Sequence, residues 1–269
     1  MKKILFLFSA LSIALLSSCS SDDNNSDGGS SSSVLPTKIT LTTVEEGKSG
    51  TLDYTFTYDG NKLKQISLSD ASRYVYTYTD NLITKVELYK SSVLISTDVY
   101  EYKNGKLDSK TTTEAFNSSI KDKLTFEYNS NGTVSAKASK IRDGEEGDYY
   151  ESTTYTFANG NIISTDLIDV EGYGEKTTNT FDNRKSPFVN VTGLKLLLDL
   201  SLNADTDIAF DFDFYSVNNV LTSKTVYTTD GEVDATANIT FTNKYNSSDF
   251  LTEVFSGDAN DSFKIQITY

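Results

Sequence analysis

Aromatic residues at every second position, followed by a turn rich in Asn, Asp and Gly, recur along most of this chain. Four segments carry the pattern most clearly: Leu52-Asp53-Tyr54-Thr55-Phe56-Thr57-Tyr58-Asp59-Gly60, Tyr74-Val75-Tyr76-Thr77-Tyr78-Thr79-Asp80-Asn81, Val99-Tyr100-Glu101-Tyr102-Lys103-Asn104-Gly105, and Leu124-Thr125-Phe126-Glu127-Tyr128-Asn129-Ser130-Asn131-Gly132. Alternation with a period of two places Tyr54, Phe56 and Tyr58 on one face of an extended strand. Asn-Gly and Asp-Gly accept the positive φ angles of tight hairpin turns. The pattern therefore predicts an all-β chain of repeated hairpins.

Weaker copies follow at residues 155–162, 177–188, 210–221 and 239–251, anchored by Phe157, Phe181, Tyr215 and Tyr245. After the turn, apolar residues step first by three and then by two, as in Leu63–Ile66–Leu68 and Ile83–Val86–Leu88. An odd step followed by an even one marks a β-bulge beside the turn. About eight hairpins, or sixteen strands, in an antiparallel meander are expected. Laid flat, they would span about 80 Å at roughly 4.8 Å per strand and leave one aromatic face in water. Strand twist must curl the sheet over that face, and an open roll, a sandwich and a closed barrel all achieve this.

The units resemble the tyrosine–aspartate repeats of the Rhs and teneurin families, with Tyr58-Asp59-Gly60-Asn61-Lys62-Leu63 the nearest match and Lys62 at the arginine position. Other units keep the aromatic and the turn but not the aspartate or the basic residue. The chain also resembles a broad class of bacterial surface lipoproteins that place such hairpins behind a lipobox. Both resemblances imply a β-sheet shell or scaffold and no particular activity.

Three regions follow. Residues 1–18 read as a lipoprotein signal peptide, with Lys2 and Lys3 ahead of an apolar run too short for a membrane span. Leu16-Ser17-Ser18-Cys19 resembles the lipobox of lipoprotein signal peptidase, which implies that Cys19 is acylated as the first mature residue. Cys19 is the one cysteine of the chain, so no internal disulfide can form. Residues 19–36, rich in Ser, Asp, Asn and Gly, make a flexible tether. Within it, Ser21-Asp22-Asp23 resembles the acidic export signals that carry some lipoproteins to the outer face of the outer membrane. The periplasm-facing leaflet is the alternative address. Residues 37–269 form the repetitive β-domain, interrupted near 187–204 by an irregular apolar insertion that plugs an open end or serves as a binding lid.

Loss of Lys2 and Lys3 with the leader takes the formal charge from −14 to −16. Such acidity repels phosphate backbones, so nucleic acid is not an expected partner. The chain has no histidine, which removes Ser-His-Asp triads, histidine bases and most zinc sites. No catalytic residue and no cofactor is expected. Asp205, Asp207, Asp211 and Asp213 alternate with apolar residues and are weak candidates for a calcium site; a row of ligands is not a cage, and a solvated strand face is the simpler reading. The acidic loop from Asp143 to Asp148 reads as a solvated hairpin tip. Seventeen tyrosines without a tryptophan read as the core face of the sheet, or as an exposed ledge that binds.

The leading expectation is a non-catalytic cell-envelope lipoprotein serving as an interaction or structural module for a protein or glycan partner. The alternative is a ligand-binding lipoprotein, for glycans in particular, and a carboxylate-based hydrolase comes a distant third. A cavity lined by tyrosines and convergent polar groups would favour the second reading; a filled interior would favour the first.

Overall fold

The computed structural model describes residues 33–198 and 215–269. They form one antiparallel sheet of eighteen strands. In chain order these are β1 (Lys38–Glu45), β2 (Lys48–Asp59), β3 (Lys62–Leu68), β4 (Ser72–Thr79), β5 (Leu82–Lys90), β6 (Val93–Lys103), β7 (Lys106–Glu114), β8 (Asn117–Tyr128) and β9 (Val134–Arg142). There follow β10 (Glu145–Glu146), β11 (Glu151–Ala158), β12 (Asn161–Asp169), β13 (Tyr173–Phe181), β14 (Val220–Thr229), β15 (Glu232–Thr240), β16 (Thr242–Tyr245), β17 (Leu251–Gly257) and β18 (Ser262–Thr268). Each strand pairs with the next except at β10, past which β11 pairs with β9, and between β15 and β16, and β18 returns to β1. Of the three ways to hide an aromatic face, the chain comes nearest to the barrel, closed except at one seam.

The hairpins form for the reasons visible in the sequence. Asn104 and Gly105 have φ of 53° and 73°, and Asn159 and Gly160 have 52° and 79°, as the tight turn demands. A register shift falls at the anchoring aromatic itself: at Tyr58, Tyr78, Tyr102, Phe157, Phe181 and Tyr245. The bulge lets Tyr58 and Leu63 oppose each other while Phe56 opposes Ile66, so all four side chains face inward.

Tyrosine, rather than phenylalanine, has a reason at the anchor positions. The Tyr78 hydroxyl accepts from the Leu63 N–H at 3.1 Å and donates to the Thr192 carbonyl at 3.1 Å. The Tyr102 hydroxyl donates to the Ile83 carbonyl at 2.7 Å, and the Tyr128 hydroxyl meets the backbone of Leu107. Leu63, Ile83 and Leu107 occupy the same place in successive units, the first apolar residue after the turn. Each of these three units is thus stitched to the one before it. Tyr58 to Pro36 and Tyr269 to Leu251, both at 2.7 Å, extend the seamwork to the ring closure.

The sheet departs from a run of eight separate hairpins at one place. The units expected at 177–188 and 210–221 merge, because β13 pairs directly with β14 across residues 182–219. In place of a tight turn, the Asp182 N–H donates to the Asn219 carbonyl at 3.0 Å and the Asn219 amide donates to the Asp182 carboxylate at 3.2 Å. Inside this excursion Phe188, Val191, Leu194 and Leu197 are buried in the core, and residues 194–196 make one 3-10 turn. Gly193, at φ 83°, lies so close to Asn81 that a Cβ would come within 2.9 Å of the Asn81 carbonyl oxygen.

The ring closes through a strand that changes partner. β15 lies against β14, bends at Phe241, and continues as β16 against β17. Among the described residues β15 has no neighbour on its other side, which leaves one unsealed seam. The outer face carries ion pairs such as Lys38–Asp53, Lys85–Glu87, Lys137–Glu127, Lys176–Asp166 and Lys244–Glu253. Along β1–β5 apolar side chains point in and these charged pairs point out, the reverse of the pattern of a wall that faces lipid. No helix among the described residues is long and apolar enough to cross a membrane.

Candidate ligand-binding cavity

The two sides of the barrel are filled differently. From β1 to β5 the inward face carries Ile39, Leu41, Tyr54, Phe56, Leu63, Ile66, Tyr74, Tyr76, Ile83 and Val86, all buried. From β11 to β15 alternation continues, but beside Tyr155, Ile162, Leu167 and Ile239 several inward positions are short and polar: Thr153, Thr165, Thr177, Asn179, Ser223 and Thr225. Side chains this short do not reach the barrel axis. They leave a cavity of about 940 Å³.

The rest of the lining is mainly apolar. Leu251, Val254, Ile265 and Ile267 come from β17 and β18, and Phe188 and Leu197 from the excursion. Phe157 and Tyr215 meet at 5.1 Å between ring centroids, and Tyr155 and Tyr215 are the tyrosines of the lining. The cavity therefore offers aliphatic and aromatic surface together with hydroxyls and amides. A smaller recess of about 390 Å³ lies at the rim beside Gly50, Thr51, Ser69 and Asp70 and brings together no comparable set.

Several polar groups of the lining are already committed to structure. Thr177 and Thr225 share a hydrogen bond at 2.9 Å between their hydroxyls. Asn218 donates to the Arg184 carbonyl at 2.9 Å, and its backbone N–H donates to Asn161 at 3.0 Å. Asn243 differs. Its amide nitrogen donates to the Val220 carbonyl at 3.0 Å, while its buried Oδ1 meets no donor among the described residues. A buried acceptor without a donor is costly unless something fills it. Lys110 and Glu151 are the charged residues of the lining. Burial, with the Asp169 carboxylate adding repulsion, holds the Glu151 carboxyl above its ordinary range.

The residues singled out from sequence fall in three places. The aromatic face is core in β2–β5, and in β11 and at Tyr215 it borders the cavity. The acidic loop is an exposed hairpin tip, where Glu146 accepts from Lys123 at 2.6 Å and from Ser139 at 2.8 Å; these bonds hold its carboxyl below the usual range. Leu16, Ser17, Ser18, Cys19, Ser21, Asp22, Asp23, Asp205, Asp207, Asp211 and Asp213 lie outside the described residues. Among the described residues no group of three or more acidic or sulfur side chains is arranged to hold a metal. Sequence reasoning missed the hydroxyl wall. Its signal was present as a change from Tyr and Phe to Thr, Ser and Asn at the inward positions from Thr153 onward.

The fold and cavity define a nearly closed antiparallel barrel with one densely packed side and one hollow side. No family model matches the chain, and no curated protein matches it. Among solved structures, the fold is similar to that of a porin-like protein from Bacteroides uniformis ATCC 8492, with a TM-score of 0.50 at 12% identity over 87% of this chain and 97% of that one. At that identity the likeness concerns the fold alone.

Proposed function

We infer that this chain is a non-catalytic, lipid-anchored envelope protein whose barrel binds a neutral, elongated molecule with both apolar and hydroxylated faces, a short glycan being the class that fits. One observation carries this reading: the hollow side brings hydroxyls and amides together with aliphatic and aromatic side chains around about 940 Å³. Ligand sites run from about 300 to 1,000 Å³ and combine an apolar lining with a few placed polar groups. Sugars present apolar ring faces and hydroxyl edges, which suits both kinds of surface at once. The open Asn243 acceptor adds a point of orientation for a ligand hydroxyl.

Cys19 is the proposed anchor, on an outer-membrane lipoprotein displayed at the cell surface through Ser21-Asp22-Asp23, with the periplasm-facing leaflet as the other address. Cys19→Ala should release the protein from membranes on fractionation, and full retention would rule the anchor out. Ligand binding is tested by calorimetric titration with a panel of neutral oligosaccharides against wild type and a Thr177→Leu/Thr225→Leu variant that fills the cavity. Binding to wild type that the filled variant loses supports the site. No binding across the panel, or binding that survives the filling, overturns it.

A further inference from the structure

The cavity has two unlike ends. The excursion lies across one of them: the Thr192 N–H donates to the Asn61 carbonyl at 2.9 Å, Gly193 sits against Asn81, and the Val217 N–H donates to the Gly160 carbonyl at 3.3 Å. It thus rests on the turns after β2, β4 and β11, and its Pro187, Phe188 and Leu197 line the cavity from that end. The inward positions nearest to it are neutral, among them Tyr155, Ile162, Thr177 and Asn179.

The other end lies toward the turns after β7, β10 and β12, and there the inward face is charged. Lys110, Leu124, Glu151, Leu167 and Thr177 line the cavity, and alternation puts Glu114, Asp122, Asp169 and Glu175 on the inward faces of their strands. Asp98 shares the inward face of β6 with the buried Tyr100. From β6 to β13 six carboxylates, of Asp98, Glu114, Asp122, Glu151, Asp169 and Glu175, therefore stand against Lys110, Lys140 and the exposed Arg142. Lys140 is already bound to Asp122 at 2.7 Å. The acids crowd one another: burial, then Asp98 and Asp122, raises the Glu114 carboxyl, and burial, then Asp169, raises that of Glu151.

A second observation comes from the packed side. Tyr76 lies across Val86 from Asp98 in one row of paired residues. It is 6% exposed, and its hydroxyl meets no partner among the described residues. Burial first, then Tyr74, Tyr78 and Asp98, pushes its phenol well up. A buried donor without an acceptor is costly until an oxygen reaches it. A neutral hydroxyl can take that place, whereas a carboxylate or phosphate there would stand beside Asp98. We propose that the six inward carboxylates make this end of the cavity a charge filter, which passes neutral and cationic molecules and turns anionic ones away. Acidic rings select against anions in pores by the same means. The inference rests on the hollow side being a ligand cavity, and it narrows the ligand to a glycan without carboxylate, sulfate or phosphate groups.

The test places a single thiol in the cavity, as Thr165→Cys in a chain carrying Cys19→Ser. Thr236→Cys, at an exposed position of β15, is the surface reference in the same background. Each is treated with methanethiosulfonates bearing a trimethylammonium, a hydroxyl or a sulfonate group, and mass spectrometry reads the rates. At low salt the ratio of cationic to anionic rate should be roughly tenfold or more higher at Thr165→Cys than at Thr236→Cys. Glu151→Gln with Glu175→Gln should cut that excess by roughly threefold or more, and added salt should shrink it too. Both positions are half-buried, and circular dichroism with the melting midpoint checks that the variant folds. A ratio in the cavity no greater than at the surface overturns the filter, as does an excess that the paired substitution leaves intact. In either case reaction of the neutral reagent would still show a cavity that solutes reach. A Thr165→Cys thiol that no reagent modifies overturns the filter and the cavity together. The filter is read without any glycan, so failure of the oligosaccharide panel would remove the glycan alone.

Discussion

The side of the barrel built by β1–β5 and the side built by β11–β15 use the same alternation, the same turns and the same bulges, yet one is solid and the other hollow. The difference lies in what occupies every second position. In the first, tyrosine and phenylalanine rings pack into the core, and the hydroxyls of Tyr78 and of Tyr102 on the adjoining β6 tie their units to the ones before. In the second, the anchors are Phe157 and Phe181, which have no hydroxyl to reach a neighbour, and many of the inward residues behind them are Thr, Asn and Ser, Tyr155, Ile162 and Leu167 being the large ones. Repetition fixes the shell. The size of the inward residue decides whether the shell is a core or a container.

The largest expected effect tests that division directly. Ile66 and Leu63 are fully buried in the packed side, and Ile66→Ala or Leu63→Ala should cost about 2–5 kcal/mol in denaturant unfolding. Thr177→Ala and Thr225→Ala, on the hollow side, remove a methyl and a hydroxyl from a surface that already borders empty space. Their cost should stay near or below about 1 kcal/mol, the worth of one ordinary hydrogen bond. Equal costs on the two sides would mean that the cavity wall is as tightly packed as the core, and the comparison would fall.

Alkaline unfolding should sharpen the same contrast by about 1.4 kcal/mol per tyrosine. Burial first, then the Asp70 carboxylate, pushes Tyr54 up to about 12 from an ordinary value near 10. A raised phenol contributes stability that is whole below pH 10, where both folded and unfolded forms are neutral, and is lost as pH climbs from 10 through 12. At pH 11 the loss from one such group is about 1.4 kcal/mol. Tyr54→Phe should flatten the fall in stability between pH 10 and 12, measured as the slope of the unfolding free energy against pH. An unchanged slope would show that Tyr54 ionises as freely in the folded protein as in the unfolded chain. Tyr78, also raised to about 12 by burial, should behave alike, although losing its bonds to Leu63 and Thr192 lowers stability at every pH as well.

Much of the fold was legible because a hairpin is a local object. Tyr54–Phe56–Tyr58, the Gly60 turn and the 63–66–68 step announce strands, turn and bulge within about fifteen residues of each other. What the sequence left open depends on distant parts of the chain. Closure rests on β18 meeting β1. The merger of two units rests on Asp182 meeting Asn219 across the excursion, and nothing near either residue announces it. The cavity was half legible. Thr153 and Thr177 sit where Tyr54 and Tyr74 sit in the earlier units, and Thr165 sits where Ile66 does, but Thr is also an ordinary strand residue, and only the barrel shows that these face an interior. Asn243 looks like any turn-flanking amide until burial isolates its oxygen.

The smallest effect concerns the charge inside the container. Glu151 lies on the inward face of β11, directly across from Asp169 on β12. Its carboxyl is raised by burial and by that neighbour. For an acid whose folded value is raised, the folded protein holds its proton longer than the unfolded chain does. Stability therefore falls as pH rises from the ordinary glutamate value through the raised one, and stays at the lower level above it. Glu151→Gln should remove that fall and leave the protein slightly more stable at neutral pH, with little change below pH 4. Chemical denaturation across pH 4–8 reads both. A variant that loses stability at neutral pH would instead show that the carboxylate is held by a favourable partner, Lys110 being the cation that shares its cavity. The hollow side would then contain an ion pair poised across it rather than a lone acid, and its ligand would have to displace or bridge that pair to enter.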